Sequence, residues 1–139
     1  MENKEIKITE KQALTELQNG FSRAERVLSD VNLTLDVALH AEAQAEELIS
    51  KGKKLGEKVK VLVFLVRDFI KKEYSVIPYK SVVAVVAGLL YFINPGDIIP
   101  DVLPVVGKVD DLMVITVCWK LIESDIKQYQ EWKKNKENE

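Results

Sequence analysis

A run of twelve residues without a charge, 82–93, reading VVAVVAGLLYFI and closed by Asn94-Pro95, constrains this chain more than any other feature. A helix that is apolar on every side must be covered on every side, at the centre of a bundle or in lipid. Pro78 suits its first turn, because the missing N–H has no partner there anyway. Extended back to Ile77, the run reaches seventeen residues, the lower limit for spanning a bilayer, but it then encloses Pro78 and Lys80.

The remaining punctuation also points to helices, since no stretch alternates apolar and polar residues between turn signals. Thr9 with Gln12 reads as a capping box, and that helix is expected to end at Asn19-Gly20, where glycine accepts a left-handed conformation. Ser22 with Glu25 reads as the next start. Phe21, Ala24, Leu28, Val31, Leu35, Ala38, Ala45 and Ile49 then keep a three-four spacing, interrupted by Glu42. This predicts one helix of about seven turns with a single apolar seam, which must pack lengthwise on another helix. Packing on the third helix of the same chain is favoured, with Glu42 reaching a lysine between Lys51 and Lys60. Gly52 marks a break. A third helix is expected over 54–73, with Leu55, Val59, Leu62, Val66, Phe69 and Ile70 on one face and Val61, Val63, Phe64 and Leu65 widening the arc. The charge-free run makes a fourth. A fifth begins near Asp110 and carries Leu112, Ile115, Cys118, Trp119, Ile122, Ile126 and Tyr129.

Between the last two lies the least typical segment, 94–111, NPGDIIPDVLPVVGKVDD. It holds three of the four prolines, two of the six glycines and four aspartates among Ile, Val and Leu. In one reading the aspartates are structural. Asp97 caps a one-turn helix, Asp110 caps the fifth helix, Asp111 meets the positive end of its dipole, and Asp101 bonds nearby backbone N–H groups. In the other, Asp97, Asp101, Asp110 and Asp111 hold Mg²⁺ or Ca²⁺, which prefer carboxylate oxygens, and the Gly107 turn folds them together. The spacing is not that of an EF-hand.

Length and charge close off several classes. A chain of 139 residues is long enough to bury a core as a single domain. A net charge of −2 argues against nucleic acid as a main partner. The single cysteine, Cys118, permits no internal disulfide and sits on an apolar face as a small hydrophobe. The N-terminal MENKEIKITEKQ has no apolar core of a secretory signal. His40 is the single histidine and lies far in sequence from the aspartates. Neither a glycine-rich phosphate loop nor a nucleophile elbow appears.

Residues 67–132 resemble the YkvA-like family, a domain of unknown function (DUF1232). The resemblance rests on Tyr74, Ile77, Pro78, Tyr91, Phe92, Pro95, Asp97, Ile99, Pro100, Asp101, Pro104, Gly107, Asp110 and Asp111, with Trp132 as the closing aromatic. Gly96 departs from it, standing where relatives usually place an aliphatic residue. The resemblance implies a helical fold and, for many relatives, membrane association; it implies no established activity.

The expected architecture is therefore an all-α, compact bundle of about five helices, with an ordered Pro/Asp-rich turn between the two central apolar helices. Residues 1–50 form an N-terminal helical extension, 51–135 the YkvA-like core and 136–139 a disordered tail. The expected function is a cytoplasmic, non-catalytic interaction or scaffold module without a cofactor, acting on a protein partner or on itself. The alternatives are a membrane-associated version of the same module and a divalent-metal enzyme built on the aspartates.

Overall fold

The computed structural model describes residues 2–93 and 111–138. Among these residues the fold is all-α, with seven helices and no strand. In order they are α1 (Glu2–Asn19), α2 (Phe21–Leu28), α3 (Val31–Ser50), α4 (Lys54–Ile70), α5 (Tyr79–Phe92), α6 (Asp111–Leu121) and α7 (Glu123–Glu137). The expected count of about five is corrected to seven because two expected helices are each broken in two. The expected Pro/Asp-rich turn, with the cap assigned to Asp110, lies outside the described residues.

The first break divides the predicted seven-turn helix at Ser29-Asp30. Asp30 is extended and accepts the Leu33 N–H at 3.1 Å through its side chain, so it caps α3. The Thr34 hydroxyl donates to the Val27 carbonyl at 2.7 Å and fastens the two helices across the gap. The apolar phase shifts there, so α3 buries Thr34, Val37, Ala38, Ala41 and Ala45, while Val31 is exposed and Leu35 only half-buried. The second break falls at Ile122, whose φ of −121° and ψ of 27° leave the helical region. Glu123 and Asp125 then occupy the first turn of α7, where negative charge suits the helix dipole. Leu112, expected inside, is exposed.

Helix starts and stops also shift. α1 begins at Glu2, upstream of Thr9, since residues 2–8 contain no helix breaker. Gly20 precedes α2 directly and is right-handed, with φ of −88°, so neither the expected left-handed turn nor a Ser22 cap is used. Gly52, with φ of 77°, does close α3: its N–H and that of Lys53 return to the carbonyls of Ile49 and Leu48, a Schellman motif. α4 ends at Ile70 in the same motif, with Lys72 in the left-handed position at φ 62° and the Glu73 N–H reaching the Asp68 carbonyl at 2.9 Å. α7 stays helical through Glu137, past the start of the expected tail.

Helix α5 is the centre. Eleven of its fourteen residues are buried, and α1, α2, α3, α4 and α6 all touch it. Around it, α3 and α4 form an antiparallel hairpin in which the backbones nearly meet. A Cβ on Gly56 would lie 2.5 Å from the Ala45 carbonyl oxygen and 3.0 Å from the Ile49 nitrogen. Such an approach requires glycine on α4 opposite the small residues of α3. Across the rim, Arg67 donates to both carboxylate oxygens of Glu42 at 2.8 and 3.4 Å, and Lys60 pairs with Glu46. The intrachain packing expected for the seam is thus observed, although Glu42 meets Arg67 on α4 instead of a lysine. At fourteen residues α5 is about 21 Å long, short of a hydrocarbon core of ~30 Å. Among the described residues, no helix is long and apolar enough to cross a membrane.

Candidate functional site

Among the described residues, a buried charged side chain stands where the C-terminal end of α4, the connection 71–78 and α7 come together. Asp68 stands in the apolar arc of α4 and is 9% exposed. Its carbonyl accepts the N–H groups of Glu73 and Tyr74 at 2.9 and 3.2 Å, which turns the chain and brings Tyr74 back over the helix end. Its carboxylate Oδ2 accepts the Tyr129 hydroxyl at 2.6 Å and the Lys133 ammonium at 3.2 Å. One carboxylate on α4 thus holds two residues one helical turn apart on α7.

Aromatic rings close over this centre. Tyr74 lies edge-on to Tyr129 at 5.1 Å between ring centroids and meets Trp132 at 4.9 Å. Tyr129 and Trp132 stack at 5.9 Å. Lys133 sits 4.9 Å above Phe64, so its ammonium is held by a ring face as well as by Asp68. On the next turn inward, the Ser81 hydroxyl donates to Asp125 Oδ2 at 2.5 Å, linking the start of α5 to the start of α7. Lys136 and Glu73, 3.5 Å apart, complete the contact at the surface.

The electrostatics follow from burial. The Tyr129 phenol is driven well above the ordinary tyrosine range by its burial, reinforced by donation to the Asp68 carboxylate. Burial also raises Tyr74, with the negative charge of Asp125 adding to the effect. Both phenols therefore stay protonated over the physiological range, and Tyr129 keeps its donation to Asp68. On the hairpin rim, hydrogen bonding to Arg67 holds Glu42 below its ordinary value against the opposing effect of burial. The Cys118 thiol, enclosed between α5 and α6, is pushed up to about 12 by burial and donates to the Ala84 carbonyl at 3.4 Å. A thiol so placed is inert as a nucleophile.

Of the residues singled out in the sequence, Tyr74 and Trp132 are brought together here. Pro78 stands at the N-cap of α5, and Tyr91 lies in the last turn of α5, half-buried. Asp111 opens α6. Pro95, Asp97, Pro100, Asp101, Pro104, Gly107 and Asp110 lie outside the described residues. Among the described residues, no three His, Cys, Asp or Glu side chains gather as a metal site. His40 is exposed on α3 and donates through Nδ1 to the Asp36 carbonyl at 2.8 Å. Sequence reasoning missed Asp68, Lys133, Ser81 and Asp125. A signal for Asp68 was present: a carboxylate inside an arc that also carries Leu65, Val66 and Phe69 needs a partner.

Residues 81–117 match a family model described as "Protein of unknown function (DUF1232)". A curated protein of Bacillus subtilis (strain 168), "Uncharacterized membrane protein YkvA", is 35% identical over 69 residues, which are 50% of this chain and 65% of the relative. The chain therefore spans about 65% of the length of the curated relative it matches. No solved structure matches.

Proposed function

We propose that this chain, which matches the DUF1232 family model over residues 81–117 and is 35% identical to the YkvA relative over 69 residues, is a non-catalytic helical interaction module that works in the cytoplasm. The observation that carries this reading is the commitment of the buried polar groups to one another. Asp68 is occupied by Tyr129 and Lys133, and Ser81 by Asp125, so these groups fix α7 onto α4 and α5. A general acid or base needs room for a reacting group within hydrogen-bond reach, and here protein donors fill that reach.

Attachment to a membrane surface is the second reading. The relative's name supports it, and so does the apolar side chain of Val76, exposed in the connection between α4 and α5. Fractionation of native cells followed by separate high-salt and alkaline washes tests both readings. The module is expected in the soluble pool or released by either wash. Retention through both washes overturns the proposal. The proposal also gives Asp97, Asp101, Asp110 and Asp111 structural roles. Added Mg²⁺ or Ca²⁺ is then expected to leave the unfolding midpoint unmoved, whereas a rise that disappears in Asp110→Ala favours a cation site.

A further inference from the structure

The connection 71–78 and the first turn of α5 carry a pattern that the packing of the domain does not use. Tyr74 and Ile77 point inward and are buried, 4% and 5% exposed. Between and after them, Val76 is 75% exposed and Tyr79 51% exposed. Both are held out by a short connection anchored at its two inward residues and set at its start by the left-handed Lys72. Single exposed apolar residues are ordinary, but the surroundings of this pair are not. Lys71, Lys72 and Lys80 are all exposed within the same ten residues, and none of them is paired with a carboxylate among the described residues. Glu73, the one acidic residue there, is already matched by Lys136. The start of α5 is already faced by the Asp125 carboxylate through Ser81, so the positive charge of this surface comes from the three lysines.

We propose that this connection is a docking loop for an anionic lipid surface. The inference rests on the reading of the chain as an interaction module and names its partner. Val76 and the Tyr79 ring enter the boundary between headgroups and acyl chains, a position that suits an aromatic residue with one apolar and one polar end. Lys71, Lys72 and Lys80 meet the headgroup phosphates. A soluble acidic protein would satisfy the lysines equally well. It would leave the exposed Val76 and Tyr79 side chains needing a matching apolar pocket, which a bilayer does not require. The attachment is peripheral, in keeping with a chain whose described helices do not span.

The experiment is co-sedimentation of the full chain with phosphatidylcholine vesicles, with and without phosphatidylglycerol, at low and high salt. The wild type is expected to sediment with the anionic vesicles, to bind the zwitterionic ones poorly and to be released by salt. Val76→Asp is expected to weaken binding about ten-fold or more, the order expected from withdrawing one valine-sized side chain from an apolar phase. Its thermal unfolding should match the wild type, since the side chain is exposed. Leu39→Asp, at an exposed apolar position on α3, serves as the control and is expected to bind like the wild type. The proposal is overturned if the wild type binds no anionic vesicle, if Val76→Asp binds undiminished, or if Leu39→Asp loses binding to the same extent. Should vesicle binding fail while the native protein is still released from cell membranes by a salt wash, the lipid partner is wrong and the module reading stands. Retention through both washes removes the module reading as well.

Discussion

The α3–α4 hairpin and the α7 attachment hold helices together in opposite ways. In the hairpin, Gly56 lets the backbone of α4 touch that of α3 at Ala45 and Ile49, and the charged pairs lie at the rim. α7 is reached by side-chain ends: the Tyr129 hydroxyl, the Lys133 ammonium, Asp125 and the Trp132 ring. The hairpin resists additions of volume, because close-packed backbone has nowhere to go. The α7 attachment resists loss of particular polar atoms, because a buried carboxylate deprived of a donor is left under-satisfied. Few residues therefore decide whether α7 stays in place.

That contrast is broken most forcefully at Gly56. Gly56→Val places atoms against the Ala45 carbonyl and the Ile49 backbone and should cost about 3 kcal/mol or more, lowering the denaturant midpoint of the whole domain. A Val substitution tolerated there would mean that the helices are not in backbone contact. On the other side, Tyr129→Phe keeps the ring but removes the donor to Asp68. It should cost about 2 kcal/mol in chemical denaturation, an amount typical of a hydrogen bond to a charged group. Because the folded-state pKa of Tyr129 is raised, its contribution is complete below the ordinary tyrosine value of 10.0 and declines as pH rises above it. Alkaline titration followed by unfolding should find the wild type losing stability above that pH and Tyr129→Phe losing less.

The rim pair should matter less. Glu42→Gln is expected to cost about 1 kcal/mol, since the pair is bidentate but a quarter exposed on each side. The folded pKa of Glu42 is lowered, so this contribution is present above the ordinary value of 4.5 and fades as pH falls through the folded one. The difference between wild type and Glu42→Gln should therefore shrink in acid. The smallest expected effect is at Lys72, whose left-handed backbone is costly for a residue with a Cβ. Lys72→Gly should raise stability by roughly 0.5 kcal/mol in thermal unfolding, provided the Schellman turn is retained.

Much of the helical architecture was legible because it depends on local signals. The charge-free run 82–93 marked the central helix, Gly52 marked the end of α3, and the seam below Glu42 implied a packed neighbour. The breaks at Asp30 and Ile122 were hidden because apolar residues keep a three-four spacing in the sequence across them, although the buried face itself shifts at Asp30. Their cause is a side-chain cap in one case and a single non-helical residue in the other. Lys72 gave no warning of a left-handed stop, because lysine has no preference for it. The candidate site was legible only in part. Tyr74 and Trp132 stand out through the family resemblance, whereas Asp68 and Tyr129 are 61 residues apart, and only the folded chain pairs them.

The Asp68 network holds α7 independently of the hairpin. Amide hydrogen exchange of wild type and Asp68→Asn, followed by mass spectrometry, measures this directly. Asparagine keeps an acceptor for Tyr129 but loses the charge that holds Lys133. The predicted result is faster exchange along α7 and the connection 71–78, with α3 and α4 protected as in the wild type. Uniformly faster exchange over the whole chain, or an unchanged α7, would contradict it.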